Sequence, residues 1–374
     1  MLRLGLALLL LALMSGCGGG APIRVGFAGE LTGRNADLGV QGRNGALLAV
    51  ERINAEGGVV GRPLELVVRD DGGTPEGARA ADQALIDAGV VAIIGHMTSR
   101  QSMAAVPLIN AAGVVLLSPT TSTPELSALK DYFFRVNPVN ALSARAMARR
   151  IFQDRGLCCV AIIYDIDNAA YTRVYRGVFE EASRELGGRL TGEVTFSSAA
   201  EPDFGALVGA LRANDPAGLL IVASAVDAAL IAQQVRLAGW DVPLFAAGWA
   251  QTEALLQNGG TAVEGMEVVT NFNSNSQTPA FLDFRARYEE RFGREPTFAA
   301  AQSYEAVLFL AAALEKSDGR AEDLPQALVE TRIQGLTDVI AMDAYGDVVR
   351  PQYLLVVRDG VFVTEEVLEP EAAP

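Results

Sequence analysis

Histidine occurs once in this chain of 374 residues and cysteine three times. That leaves too few imidazole and thiolate donors for a multi-ligand transition-metal site, and no metal or other cofactor is expected. Two of the cysteines, Cys158 and Cys159, are adjacent at the head of the apolar run Cys159–Tyr164. A ring joining neighbouring cysteines is strained, so both read as small core residues. Positive charge is also scarce: 45 acidic residues stand against 30 basic ones, for a formal net charge of −15. This argues against nucleic acid or an anionic lipid surface as a partner. No phosphate-binding loop, nucleophile elbow or dinucleotide fingerprint occurs, and His96 has no nucleophile to serve, so it reads as a turn residue and the chain as no enzyme. With half of its residues hydrophobic and 20% charged, the chain is globular, and long enough for two lobes with their own cores.

The opening, MLRLGLALLLLALMSGCGGG, carries Arg3, an apolar core Leu4–Met14 and the small residues Ser15-Gly16-Cys17. The core is too short to span a bilayer, so residues 1–16 read as an export signal. Leu13-Met14-Ser15-Gly16-Cys17 resembles the lipobox of bacterial lipoproteins, which implies lipidation at Cys17 and residues 17–22 as a tether. The expected location is periplasmic or extracytoplasmic, with the lipid anchor as the one contact with the membrane.

The stretch Val90–Leu126 organises the rest. Two short apolar runs, Val90–Gly95 and Val114–Leu117, have the length and composition of strands buried on both faces. An amphipathic segment from Ser99 to Ala112-Gly113 lies between them and reads as a helix with a C-terminal stop. The strands deliver Thr98 and Ser99, and then Ser118, Thr120, Thr121 and Ser122, at their carboxyl ends. Ligands of open α/β sheets sit there, beside helix N-termini whose N–H groups suit a small carboxylate. Strand and helix alternate on both sides of this unit, pause near Phe133–Pro138, and alternate again to Ala247, the pattern of two parallel-sheet lobes. A hairpin around Asp359-Gly360 closes the chain.

Ile23–Phe27, Leu31-Thr32-Gly33, Asn44-Gly45-Ala46 and Ile53–Gly61 resemble the opening of the branched-chain amino acid binding proteins of ABC importers. So do Asp70-Asp71, Ile93–His96, Leu117-Ser118-Pro119 and Thr123–Leu126. The resemblance implies the type I periplasmic binding protein fold: an α/β protein of two Rossmann-like lobes with parallel sheets, joined by a three-crossover hinge. Residues 23–138 and 268–347 would form lobe 1, and 139–267 and 348–368 lobe 2. It implies capture of a small carboxylate, a branched-chain amino acid or a related organic or aromatic acid, for an ABC transporter permease. A monomer is expected, and a sensing module of the same fold is the alternative.

By the same resemblance, Ser99, Thr120 and Ser122 hold the ligand's polar end and Tyr171 supplies an aromatic. The family's ammonium-binding acid falls on Ala250, beside Trp249; a second aromatic falls on Ser224, and the first lobe's tyrosine on Leu38. Asp227, near the start of a helix, is a further candidate for ligand contact. With no acid at residue 250, a ligand lacking an α-ammonium group becomes an expectation of the sequence.

Overall fold

The structure is a computed structural model and describes residues 20–368. The export signal and the lipidation expected at Cys17 lie outside the described residues. The first lobe opens with β1 (Ile23–Gly29), α1 (Ala36–Ala55), β2 (Leu64–Asp70), α2 (Pro75–Asp87), β3 (Ala92–Ile94), α3 (Ser99–Ala112), β4 (Val115–Ser118) and β5 (Phe133–Arg135). The five strands form a parallel sheet in the order β2-β1-β3-β4-β5. The unbroken apolar runs follow from burial on both faces. Ile93 and Leu116 pack with Leu85 of α2 and Ile109 of α3, whereas Ile94 and Leu117 pack into the core on the other face. Gly113 ends α3 in the left-handed conformation (φ 65°), where a Cβ is costly.

The second lobe follows as α4 (Asn140–Arg149), β6 (Cys159–Asp165), α5 (Ala169–Glu185), β7 (Arg189–Phe196), α6 (Phe204–Arg212), β8 (Leu219–Val222), α7 (Ala225–Leu237), β9 (Leu244–Ala247), α8 (Glu253–Gly259) and β10 (Glu267–Thr270). Its strands run β7-β6-β8-β9-β10, which repeats the order of the first sheet. The chain then returns to lobe 1 with α9 (Pro279–Phe292), α10 (Phe298–Lys316), α11 (Leu324–Val329) and a ribbon of β11 (Arg332–Gln334) and β12 (Val339–Ala341). The ribbon is absent from the sequence reading, because three-residue strands leave no usable periodicity. α10 is almost wholly buried and lies so close to α1 that a Cβ on Gly45 would meet the Ala300 carbonyl oxygen at 2.0 Å. Finally β13 (Gln352–Arg358) and β14 (Val361–Leu368) extend the second sheet, with β13 antiparallel to β10.

The chain therefore crosses between lobes three times, and two of the expected lobe bounds shift by a few residues. Residue 268 was expected to open the second segment of lobe 1, but β10 through Thr270 pairs with both β9 and β13. The passage falls at Asn271. The last segment of lobe 2, with an expected start at residue 348, begins after Arg350. That side chain is held in lobe 1 by Glu305 (2.7 Å) and Asp338 (2.6 Å), and its Nη1 also donates to the Val136 carbonyl (3.3 Å) on the first crossing. Among the described residues, no helix is long and apolar enough to cross a membrane.

Candidate functional site

The carboxyl ends of both sheets face a cavity between the lobes. Lobe 1 contributes hydroxyls from two loops, the one between β3 and α3 and the one after β4: Thr98, Ser99, Thr120 and Ser122. Lobe 2 contributes Tyr171, at the start of α5, and Gly248-Trp249, after β9. The crossings line the floor with Asn137, Pro138, Thr270 and Asn271, flanked by Asn140 and Ser143 of α4. Asn168, Leu38, Met97 and Phe298 complete the wall. Not one of these side chains carries a charge.

The two hydroxyl-bearing loops are stitched together by hydrogen bonds that decide which hydroxyls remain for a ligand. Ser118 Oγ donates to the His96 carbonyl (2.9 Å) and accepts from the Thr121 amide (3.0 Å). Thr121 Oγ1 donates to the same carbonyl (3.3 Å) and meets Ser102 Oγ at 2.6 Å. Both residues are completely buried, so the ligand contact expected of Ser118 and Thr121 is not what the structure places there; they fix the turn. Thr120 Oγ1 donates to the Met97 carbonyl (2.7 Å) and offers its lone pairs. Ser99 Oγ accepts from the Ser122 amide (3.4 Å), which leaves its proton free to donate. The Ser99 amide opens α3, where the first-turn N–H groups have no helical partner. The Thr98 hydroxyl, buried, has no hydrogen-bond partner among the described residues. Together these groups form a cluster of neutral donors at a helix N-terminus, suited to a carboxylate.

Trp249 meets Tyr171 edge-on, with ring centroids 5.8 Å apart. Burial pushes the Tyr171 phenol well above its usual range, against the pull of the Trp249 backbone, so it is a neutral hydroxyl at all ordinary pH. Ala250, expected at the amine end of the pocket, is instead fully buried in the core of lobe 2, because the short helical turn Gly248–Ala250 rotates it away from the cavity.

Two more expected contacts move elsewhere. Ser224 caps α7 by accepting from the Asp227 amide (3.3 Å). The fully buried Asp227 carboxylate accepts from Ser198 Oγ (2.7 Å) and Ser224 Oγ (2.9 Å) and pairs with Arg34 of lobe 1. Its charge is spent across the cleft and does not face the cavity. Asp165 and Asp167 lie in an outer compartment with Glu30, Arg34 and Arg100, which shares Thr98, Asn168 and Trp249 with the inner cavity. Around this rim the lobes grip each other through Thr252 and Asp37 (3.0 Å), the Arg100 amide and Asn168 Oδ1 (3.1 Å), and Arg294 and Glu253 (2.9 Å).

Behind the hydroxyl wall lies the group the sequence reading treated as a mere turn residue. His96 is completely buried, with Nδ1 2.7 Å from Asp71 and Nε2 3.1 Å from both Asp82 oxygens. Burial opposes its charge, but the two carboxylates override it and push the imidazole up to about 10. Its backbone carbonyl carries Ser118 and Thr121, so the ion cluster anchors the loop that presents the hydroxyls.

The sequence matches the periplasmic binding protein family over residues 22–360, and the chain belongs to that family. It is similar to a leucine-, isoleucine-, valine-, threonine- and alanine-binding protein of Pseudomonas aeruginosa, 25% identical over 337 residues that make up 87% of each chain. A leucine binding protein from Thermotoga maritima superposes with a TM-score of 0.87 at 26% identity, over 93% of this chain and 99% of that one. An ABC transporter substrate-binding protein from Desulfitobacterium hafniense in complex with Leu is 30% identical, with a TM-score of 0.77 over 92% of this chain and 100% of that one. These relatives are solute-binding proteins and not enzymes, and the chain is a substrate-binding protein of the ABC transporter class.

Proposed function

We propose that this protein captures a small carboxylate whose recognition does not depend on an α-ammonium group, and delivers it to an ABC importer permease. In this reading it does so from an extracytoplasmic position, as a monomer anchored through a lipid on Cys17. The observation that carries the choice of ligand is the cavity wall itself: hydroxyl and amide groups, a helix N-terminus, three aromatic rings and no charged side chain. A carboxylate is stabilised by the Ser99 and Ser122 hydroxyls and the Ser99 amide at the start of α3. An ammonium ion buried in the same cavity would have no carboxylate partner, which costs several kcal/mol. Leu38, Met97, Phe298, Tyr171 and Trp249 suit a branched or aromatic body. The leucine-type ligands of the relatives support the size and the apolar body of the ligand, while a lining without a carboxylate leaves no basis for selecting an amine.

Calorimetry with 4-methylpentanoate and with leucine, its 2-amino analogue, tests the reading. The expected result is that the des-amino acid binds at least as well as the amino acid. A hundredfold preference for leucine, equivalent to about 2.7 kcal/mol, would demand a paired ammonium and sink the proposal.

A further inference from the structure

Cys158 and Cys159 stand where the loop behind α4 enters β6. Successive residues of a strand point to opposite faces, but the chain bends at Cys158, just ahead of the strand, and frees it from that alternation. The two Sγ atoms come within 2.7 Å of each other. Unbonded carbon atoms rest about 3.5–4.0 Å apart and sulfur is larger, so this is closer than two separate thiols settle. Cys159 is buried, as the sequence reading expected of both, but Cys158 is exposed on lobe 2. The pair thus joins a sulfur that a reagent reaches to a second sulfur in contact with it. The ligand site does not use it. β6 brings its other end, Asp165, to the cleft, and seven strand residues span about 20 Å.

We infer that Cys158 and Cys159 are a redox-modification site, which closes into a vicinal disulfide by exchange with a disulfide oxidant and reopens on reduction. Cys158, as thiolate, attacks one sulfur of the oxidant, forming a mixed disulfide and releasing one thiol. Cys159 gives up its proton and attacks the Cys158 sulfur, which forms the ring bond and releases the second thiol. The chain loses two protons and two electrons, and the oxidant gains both and leaves as two thiols. Hydrogen bonding to Cys159 holds the Cys158 thiol above its usual range, against the pull of Arg189, so the pair rests as thiols until an oxidant meets it. Neighbouring Cα atoms lie about 3.8 Å apart, short of the ~4.4–6.8 Å usual for a disulfide, and a bond so constrained is readily reduced. The extracytoplasmic position proposed above supplies oxidising surroundings. Ring closure itself does not depend on the ligand reading, and the two stand or fall separately.

The test is mass mapping of the folded protein after treatment with glutathione disulfide, followed by unfolding in an alkylating agent and cleavage with trypsin. Both cysteines fall in one peptide, Gly156–Arg173. The expected result is that this peptide carries no alkyl group and is two hydrogens lighter than its dithiol form. Dithiothreitol given before alkylation should convert it to the doubly alkylated form. Cys159→Ser should stop at a glutathione adduct on Cys158, whereas Cys158→Ser should stay unmodified because Cys159 is buried. Two alkylated cysteines after oxidation, a lasting glutathione adduct on wild-type Cys158, or two chains joined through Cys158 would each overturn the inference. So would a ring that dithiothreitol leaves closed. Should a variant not fold, the wild-type mapping alone decides.

Discussion

One cleft has two kinds of wall. The inner cavity is lined by hydroxyls, amides and rings without a formal charge, while the rim outside it carries Glu30, Arg34, Arg100, Asp165 and Asp167. The His96 cluster, directly behind the hydroxyl loops, is charged again but fully paired. The difference separates two tasks. Neutral dipoles hold an anion without demanding a specific counter-charge on it, whereas opposite charges on the two lobes favour the closed arrangement without touching the ligand. Arg34 with Asp227 and Arg294 with Glu253 each join one lobe to the other. In a binding protein that must both close and release, that division lets affinity and closure vary independently.

The comparison breaks first at the buried cluster. His96→Leu leaves Asp71 and Asp82 without their cation, and removing one partner of a buried ion pair costs about 3–5 kcal/mol. Chemical denaturation should register that loss. The wild type carries the matching pH signature: the imidazole is raised from its ordinary 6.5 to about 10, so its contribution is fully present below pH 6.5 and is lost as pH rises through 10. Urea melts of wild type and variant between pH 6 and 10 should converge at the alkaline end. If the two curves stay parallel, His96 is not charged in the folded protein.

A charge placed in the neutral cavity should have the next largest effect. Asn140→Asp keeps the shape and adds a carboxylate. At ~5 Å and an effective dielectric of ~20 its repulsion for a carboxylate ligand is about 3 kcal/mol, or roughly a hundredfold in affinity. Calorimetry at neutral pH would show it. Ser99→Ala removes one hydroxyl from the anion cluster, and a hydrogen bond to a charged group is worth about 1.5–3 kcal/mol. Affinity should fall roughly 10- to 100-fold; a fall in melting temperature with affinity intact would reduce Ser99 to a helix-start residue. At the rim the effect is smallest. Arg34 is one-third exposed and screened, so Arg34→Ala should weaken binding by less than about tenfold, with the loss fading in high salt.

The alternating strands and helices were legible because each strand buries both faces and each helix one, so periodicity alone separates them. The placing of Ser99, Thr120 and Ser122 in the cavity wall was legible for a local reason: they follow strand ends directly. Ser118 and Thr121 bear the same residue types in the same turn, and their inward direction depends on the His96 carbonyl, which no local pattern announces. Asp227 is likewise misplaced by sequence reasoning, since its partner Arg34 lies in the other lobe. The asparagines missed altogether, Asn137, Asn140, Asn168 and Asn271, come from three separate segments and meet where the chain crosses between lobes. An asparagine before a proline, as in Asn137-Pro138, is an ordinary turn signal, and only the fold gathers the four around one cavity.

Asn137 has a consequence in time. Its Nδ2 donates to the Thr120 carbonyl (2.6 Å), and its Oδ1 accepts from Asn271 (2.6 Å) and Gln302 (3.3 Å). The first crossing is thus tied to the hydroxyl wall of lobe 1, and a cleft opening about the crossings would carry that wall with lobe 1. A carboxylate arriving at such an open cleft would meet a receiving surface already assembled, and the expected outcome is an association rate set chiefly by lobe 1. The second lobe arrives afterwards with Tyr171 and Trp249, and the rim sets how long the visitor stays. Variants at Ser99 should therefore slow capture, whereas variants at Arg34 should shorten residence and leave the rate of arrival untouched.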